Sequence, residues 1–423
     1  MDRGVVVFLQ GPPSGFWAEL ADEFQAVGWT VDKIHLAPAE PFFWRRPGAT
    51  RFAGSLEQWS VYLQEVLRRR RATAVCLYSD GLPHHREAVR LCRRMGVRVF
   101  VFENGYLRPD WITCQEGGMY EGRALPRDPG AIKRIAEAAP RPDLEVEYRH
   151  SFFSEAWREV AFHLTNGLTP KSLWRFDHDR YYHPVVDYSS WVKRLAFSSG
   201  EGRRAMAVST KLIFKDQPYY LVPLQLQSDY SVRIGSRYDH VSQMIEQLVT
   251  SFAAHAPKRC ALVFKVHPHD NGRERWRRIA MRLAKRNGLE RRVHVIDGGP
   301  FGALVASSRG VAVINSTSGL HAIRALKPTI ALGHAVYDMP GLTHQSGLDR
   351  FWRDPDPTDT LLVRAFIRAL VAKTQIKGSF FLEDGRRAAC KEVVRRIVGR
   401  TAPPLAAEAP APSLARGRAE VAA

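Results

Sequence analysis

Cysteine is scarce in this chain. Five occur in 423 residues, at 76, 92, 114, 260 and 390, and none forms a C-x-x-C pair. An odd, scattered set excludes a disulfide framework and a cysteine zinc site, and it suits a reducing cytoplasm. Long apolar runs are missing too: none reaches the about 18 residues that a membrane span requires. VVVFL (5–9) is too short for a secretory leader and runs straight into QGPP. Acidic residues are in deficit. Against 62 Lys and Arg stand 43 Asp and Glu, for a formal net charge of +19. That excess calls for an acidic partner: nucleic acid, an anionic membrane surface or a phosphorylated substrate. Runs such as RRRR (68–71) and RERWRR (273–278) read singly as solvated helix faces. The bias of the whole chain needs more than that.

What is present is a rhythm. VVVFLQG (5–11), WTVDKIHL (29–36), TAVCLYSDG (73–81) and VRVFVFENG (97–105) read as strands. Between them, 16–28, 55–71 and 84–96 have helical spacing, with Ser55 as an N-cap. Such alternation predicts a parallel, doubly wound sheet, with ligands outside the carboxyl ends of its strands. Those ends carry Gln10, Gly11, Asp80 and Glu103. The rhythm breaks over residues 141–202, where Trp, Tyr, Phe and Arg mix. Helices are expected there, either as a linker packed between halves or as a membrane-proximal insertion. A second alternation follows, with strands at 205–210, 219–226, 260–268, 292–297, 310–316 and 329–333 and helices at 240–256, 275–288 and from 316. The expected division is 1–140 as one Rossmann-like α/β domain and 203–358 as a second. C-terminal helices follow at 359–400, and a disordered Ala/Pro tail at 401–423. Two Rossmann-type halves, linking helices and a C-terminal helix are the plan of a GT-B-like fold.

Four stretches carry chemistry. NSTSGL (315–320) ends a strand and opens a helix, so Asn315, Ser316, Thr317, Ser318 and Gly319 read as an anion loop, or more plainly as an N-cap. FKVHPHD (264–270) admits three readings. His267, His269 and Asp270 could ligate a metal; Lys265 and His267, beside Pro268, could grip a phosphate; or the segment is an ordinary strand end and turn. In VPLQLQSDYS (222–231), Gln225, Gln227 and Asp229 share one face of an extended segment. Asp229 is there a nucleophile, a base or a turn residue. FENGYLRPDWIT (102–113) gathers Glu103, Tyr106, Arg108 and Asp110 in one loop after a strand, where a carboxylate could deprotonate an acceptor.

These stretches, with FLQGPPSGFW (8–17), DGLPHHR (80–86), LGHAVYDMPGLT (332–343), LDRFW (348–352) and TQIKGSF (374–379), resemble the bacterial KpsS-type capsule polysaccharide biosynthesis (export) proteins, in the same order over roughly residues 5–380. The resemblance implies a retaining β-Kdo glycosyltransferase of GT-B type. It would move Kdo from CMP-Kdo to a phosphatidylglycerol-type lipid and start a poly-Kdo linker. Asp229 resembles the nucleophile. His267, Pro268 and Ser316 to Ser318 resemble CMP-binding motifs, and Lys265 adds charge. Glu103 or Asp80 is the expected base, with Gln10, Gly11, Arg108 and Asp110 also on the acceptor side. No metal or other cofactor is expected. The implied partners are a nucleotide sugar, an anionic phospholipid at the inner-membrane surface and other capsule proteins, with no nucleic acid. The implied location is cytoplasmic, peripheral on the inner face. The alternatives are a non-catalytic capsule assembly or export factor, or a transferase using another nucleotide sugar. This chain departs from the family's Glu-Glu-Gly at Glu103-Asn104-Gly105, and from its His-His-Pro at Val266-His267-Pro268.

Overall fold

The structure is a computed structural model and describes residues 4–120, 124–148, 152–169, 174, 181–182, 184–214 and 217–399. The tail expected over 401–423 lies outside the described residues.

The first half runs β1 (Val5–Phe8), α1 (Phe16–Ala26), β2 (Thr30–His35), α2 (Glu40–Trp44), β3 (Thr50–Arg51), α3 (Leu56–Arg70), β4 (Ala74–Tyr78), α4 (Pro83–Met95), β5 (Arg98–Asn104), β6 (Trp111–Glu116) and α5 (Pro129–Ala138). Helices α6 (Phe152–Leu168) and α7 (Pro184–Phe214) follow. The second half runs β7 (Tyr219–Pro223), α8 (Tyr230–Arg233), α9 (Val241–His255), β8 (Ala261–Lys265), α10 (Trp276–Arg286), β9 (Val293–Ile296), α11 (Phe301–Ser307), β10 (Gly310–Val313), α12 (Thr317–Arg324), β11 (Thr329–Ala331) and α13 (Leu348–Phe351). Then α14 (Thr360–Thr374) leads back to the first half, where β12 (Gln375–Lys377) and α15 (Glu383–Val398) complete it.

The two sheets have the orders β12-β6-β5-β4-β1-β2-β3 and β11-β10-β7-β8-β9. The second is parallel throughout. In the first, the expected parallel pairing holds from β3 to β5, but β6 and β12 are antiparallel. The reason is loop length. Only residues 105–110 join β5 to β6, enough for a hairpin and too few for a crossover.

Three local expectations change. AMAVST (205–210) is not a strand; it belongs to α7. The buried Ala205 and Ser209, with Leu212 just beyond, recur at helical spacing, and Ser209 Oγ donates back to Ala205 O at 2.7 Å. The division expected at 202/203 therefore falls inside a helix. The region 359–400, read as helices, contains the strand β12.

Apolar side chains explain how the halves are held. One cluster runs from Leu107, Trp111 and Ile132 of the first half through Phe366 and Leu370 of α14 to Val311 and Leu320 of the second. It is one contiguous core shared by both halves. Within the first half, α15 seats Ala389, Val393 and Ile397 in the same cluster as Phe16 and Phe24 of α1. On the other face, Trp59 is fully buried against Phe52 and Tyr62, and its indole N–H donates to His84 O at 2.8 Å. Trp59→Ala empties that site and strands a carbonyl. A loss of about 3–5 kcal/mol is expected, read as a lower urea midpoint with unchanged slope.

Candidate active site

Both sheets point strand ends at the same space. On the first side, Ser79 follows β4 with a left-handed backbone (φ 56°), a conformation that non-glycine residues adopt sparingly. It turns the chain into Asp80 and Gly81. Asp80 is buried, and its Oδ2 accepts from the amides of Met119 (2.7 Å) and Tyr120 (3.4 Å), which pins the loop after β6 over the strand ends. Gly81 meets the second half directly. A β-carbon there would fall 2.2 Å from the ring of Tyr230, so only glycine allows the close approach.

Glu103, near the end of β5, is the electrostatic centre. Desolvation is the main force raising its carboxyl, Asp80 and Asp229 add to it, and Ser79 and Arg108 oppose it; the result is about 7. Asp229, at the N-cap of α8, is raised to about 6, chiefly by burial and against the pull of Arg108. Tyr106 and Tyr120 are both pushed upward by burial and then by Glu103 and Asp80. These groups sense one another across the gap between the sheets. The fold therefore brings Asp229 within the electrostatic reach of Glu103 and Arg108, which lie more than 100 positions before it in the chain.

His267 completes it. The amide of His269 donates to His267 Nδ1 at 3.1 Å, so the neutral ring carries its proton on Nε2. Burial, then His269, Arg108, Lys265 and Arg194, hold its pKa down to about 4. The imidazole is thus a neutral N–H donor among three cations. Lys265, at the end of β8, is buried, and desolvation lowers its pKa against the pull of Asp297. Pro268 is exposed at the turn. The metal reading of 267–270 is poorly served by this geometry. Asp270 Oδ1 accepts from Gly272 N at 2.7 Å and Oδ2 from the Trp276 indole at 2.8 Å, which makes it a turn residue. Among the described residues no three His, Cys, Asp or Glu side chains gather as a metal-binding set.

The hydroxyl loop divides in two. Asn315 is structural: its Nδ2 donates to Ser231 O (2.7 Å) and Gly235 O (3.0 Å), while its Oδ1 and N–H bond Gln225. Ser316 caps α12, accepting from Ser318 N at 3.1 Å. Gly319 lies under Tyr337, where a β-carbon would sit 2.2 Å from the phenol oxygen. Thr317 and Ser318 face the first half. With Arg324 one face further along α12 and Tyr106 and Arg108 opposite, they line a cavity of about 160 Å³. A larger cavity, about 1100 Å³, opens at the carboxyl ends of β8 and β9, lined by Tyr182, Arg194, Asp270, Trp276 and Asp297. Arg194 donates to Asp297 at 2.8 Å there.

Other expected acceptor residues are placed differently. Gln10 is buried, and its Oε1 meets no donor among the described residues. Gly11 lies against the Trp17 indole. Asp110 faces away from the cleft group: its Oδ2 accepts from the amides of Glu147 (2.6 Å) and Tyr148 (3.5 Å). Arg108 belongs to both sides, since it touches the fields of Glu103, Asp229 and His267. Sequence reasoning missed Tyr120, Tyr230 and Arg324. Arg324 had a signal, seven residues beyond Thr317 on the same helix face. Tyr120 had none.

Two Rossmann-type halves around a cleft, with a C-terminal return into the first half, define a GT-B-type fold. The chain belongs to the capsule polysaccharide biosynthesis protein family, whose pattern matches residues 73–381. It is 29% identical over 376 residues to the capsule polysaccharide export protein KpsS of Escherichia coli, covering 89% of this chain and 96% of that one. It is also 29% identical over 389 residues to the capsule polysaccharide modification protein LipB of Neisseria meningitidis serogroup B, covering 89% and 91%. Among solved structures, Thermosulfurimonas dismutans KpsC, a beta Kdo 2,7 transferase, aligns over 94% of this chain and 99% of that one, with 15% identity and a TM-score of 0.43.

Proposed function

We propose that this protein is a retaining glycosyltransferase that moves β-Kdo from CMP-Kdo to a phosphatidylglycerol-type lipid and so starts the poly-Kdo linker of a capsular polysaccharide. The observation that carries this reading is the convergence of Asp229, Glu103, Arg108 and His267 between the two sheets. Two carboxylates with different environments and a cationic, hydrogen-bond-donating wall for a phosphate are what a double displacement needs.

In the first step Asp229 attacks the anomeric carbon of Kdo. The bond from that carbon to the phosphate oxygen breaks, and its electrons leave with CMP. His267 Nε2–H, Lys265 and Arg108 stabilise the departing phosphate, with Thr317 and Ser318 at the α12 N-terminus. The nucleoside extends into the cavity at the ends of β8 and β9. In the second step Glu103 takes the proton of the acceptor hydroxyl, whose oxygen displaces Asp229 and restores the starting configuration. The side chains named here supply the charge that a metal would otherwise bring. The basic chain suits an acceptor in an anionic membrane at the cytoplasmic face, alongside other capsule proteins.

Both carboxylates must be ionised. Each is raised, so activity is lost as pH falls through their values: kcat/KM should climb between pH of about 5.5 and 8, with limbs set by Asp229 near 6 and Glu103 near 7. Glu103→Gln should cut the rate and remove the upper limb. A profile that keeps that limb in the variant rules out Glu103 as the base. The transfer itself is tested by incubating protein, CMP-Kdo and phosphatidylglycerol and looking for CMP and a Kdo-lipid of β configuration. Release of no CMP with any lipid would leave the chain a non-catalytic factor.

A further inference from the structure

Helix α6 has two apolar faces, and only one is used by the fold. On the inner face Phe162 is buried against Phe43 of α2, ring centroids 6.2 Å apart, and the buried Asn166 accepts from Ala39 N at 2.8 Å. On the outer face Trp157, Val160, Leu164 and Leu168 recur at i, i+3, i+7 and i+11. Helical geometry aligns them in one stripe roughly opposite Phe162 and Asn166. They are 59, 41, 48 and 81% exposed. Four large apolar side chains in a row on a docked helix form a patch rather than the scatter of single residues that any surface shows. Phe42 of α2, the helix beneath, is separately 63% exposed. A basic group accompanies each of these two exposed aromatic residues. The Arg158 guanidinium lies 5.2 Å from the Trp157 ring, and Arg45 Nε donates to Phe42 O at 2.9 Å.

We propose that α6 is an interfacial docking helix that lies in the headgroup layer of an anionic bilayer, with Trp157, Val160, Leu164 and Leu168 turned toward the acyl chains. Charge selects this occupant. A chain of net charge +19 is drawn to anionic lipid over a neutral or similarly basic surface, including a second copy of itself. Side-chain chemistry agrees: an indole beside a guanidinium suits the boundary between headgroups and acyl chains. Among the described residues no helix, α6 included, is long and apolar enough to cross a membrane. It lies on the surface instead. The inference deepens the lipid-acceptor reading and rests on it for its purpose, which is to present headgroups to the cleft.

The test floats the full chain with vesicles of mixed phosphatidylethanolamine and phosphatidylglycerol, and with phosphatidylcholine alone. Wild type should float with the anionic vesicles and several-fold less with the neutral ones. The triple variant Trp157→Ser, Leu164→Ser, Leu168→Ser should lose roughly tenfold of the bound fraction, with an unchanged melting temperature. A second measurement is independent of that variant. The five native cysteines are all buried, so Leu164→Cys can be labelled selectively with a polarity-sensitive dye, whose emission should shift blue on anionic vesicles. Equal flotation of wild type and variant, or a label that stays in water, overturns the proposal. So does a wild-type dimer in light scattering that the triple variant dissolves. CMP release from CMP-Kdo is followed in parallel with phosphatidylglycerol presented in detergent micelles: its absence with flotation intact sinks the transferase reading alone, and flotation lost by wild type sinks the docking helix alone.

Discussion

Asp229→Asn should lower sugar transfer by at least about 10³-fold, because the amide has no charge to form the covalent sugar intermediate. The expected signature goes beyond slow turnover. Wild-type protein given CMP-Kdo without acceptor should gain the mass of one Kdo and release one equivalent of CMP; the variant should do neither. The fold should not suffer. Burial raises the Asp229 carboxyl from its ordinary value to about 6 in the folded chain. Its ionisation therefore opposes folding: the stability present at low pH is lost as pH rises through that value. The asparagine variant should melt higher than wild type at neutral pH, with the gap closing toward pH of about 4. A variant that melts lower and still transfers sugar at the wild-type rate would remove Asp229 from the chemistry.

His267→Ala should cost roughly 10²–10³-fold in kcat, the range seen when one preorganised donor to developing charge is removed. The argument is the tautomer. With Nδ1 occupied by the His269 amide, the ring offers Nε2–H and nothing else. With its pKa near 4, the ring stays neutral through the working range, so it should add no limb of its own to the pH profile. His267→Gln keeps an N–H donor at similar reach and should recover part of the loss. Equal defects in the alanine and glutamine variants would mean that the ring is a packing element of the 264–270 turn. Isothermal titration with CMP separates the cases: loss confined to kcat marks the leaving-group role, and loss of CMP affinity marks ground-state binding.

Much of the frame was legible because strands buried on both faces leave apolar runs that stop at polar residues. Asp80, Glu103, Lys265 and Ser316 all stood at such stops, and all lie at strand ends. Harder were features set by partners distant in sequence. AMAVST satisfied a strand template over six residues, yet its buried positions fit a helix once the contacts around Gly299 and Leu304 are known. TQIKGSF was visible as a motif, but its pairing with Trp111–Thr113 lies more than 250 residues away. Asn315 sits beside three hydroxyls and differs from them through Gln225, Ser231 and Gly235, none of them its neighbours in sequence. Asp110 likewise stood in a loop with Glu103 and Arg108, and its bonds to Glu147 and Tyr148 turn it elsewhere. A motif tells which residues cluster in sequence. It does not say which side chains are already committed to holding the backbone.

The return of β12 and α15 to the first half sets an order of events during synthesis. When the ribosome has made residues 1–140, the strands β1, β2, β4 and β5 can pair, but the edge beyond β6 and the seat of Phe16 and Phe24 still await Ile376, Val393 and Ile397. The first half to be translated is therefore the last to be finished. Until the chain reaches about residue 398, an aromatic face built to be covered stands open to whatever holds nascent chains, and the second half, with no such debt, closes first.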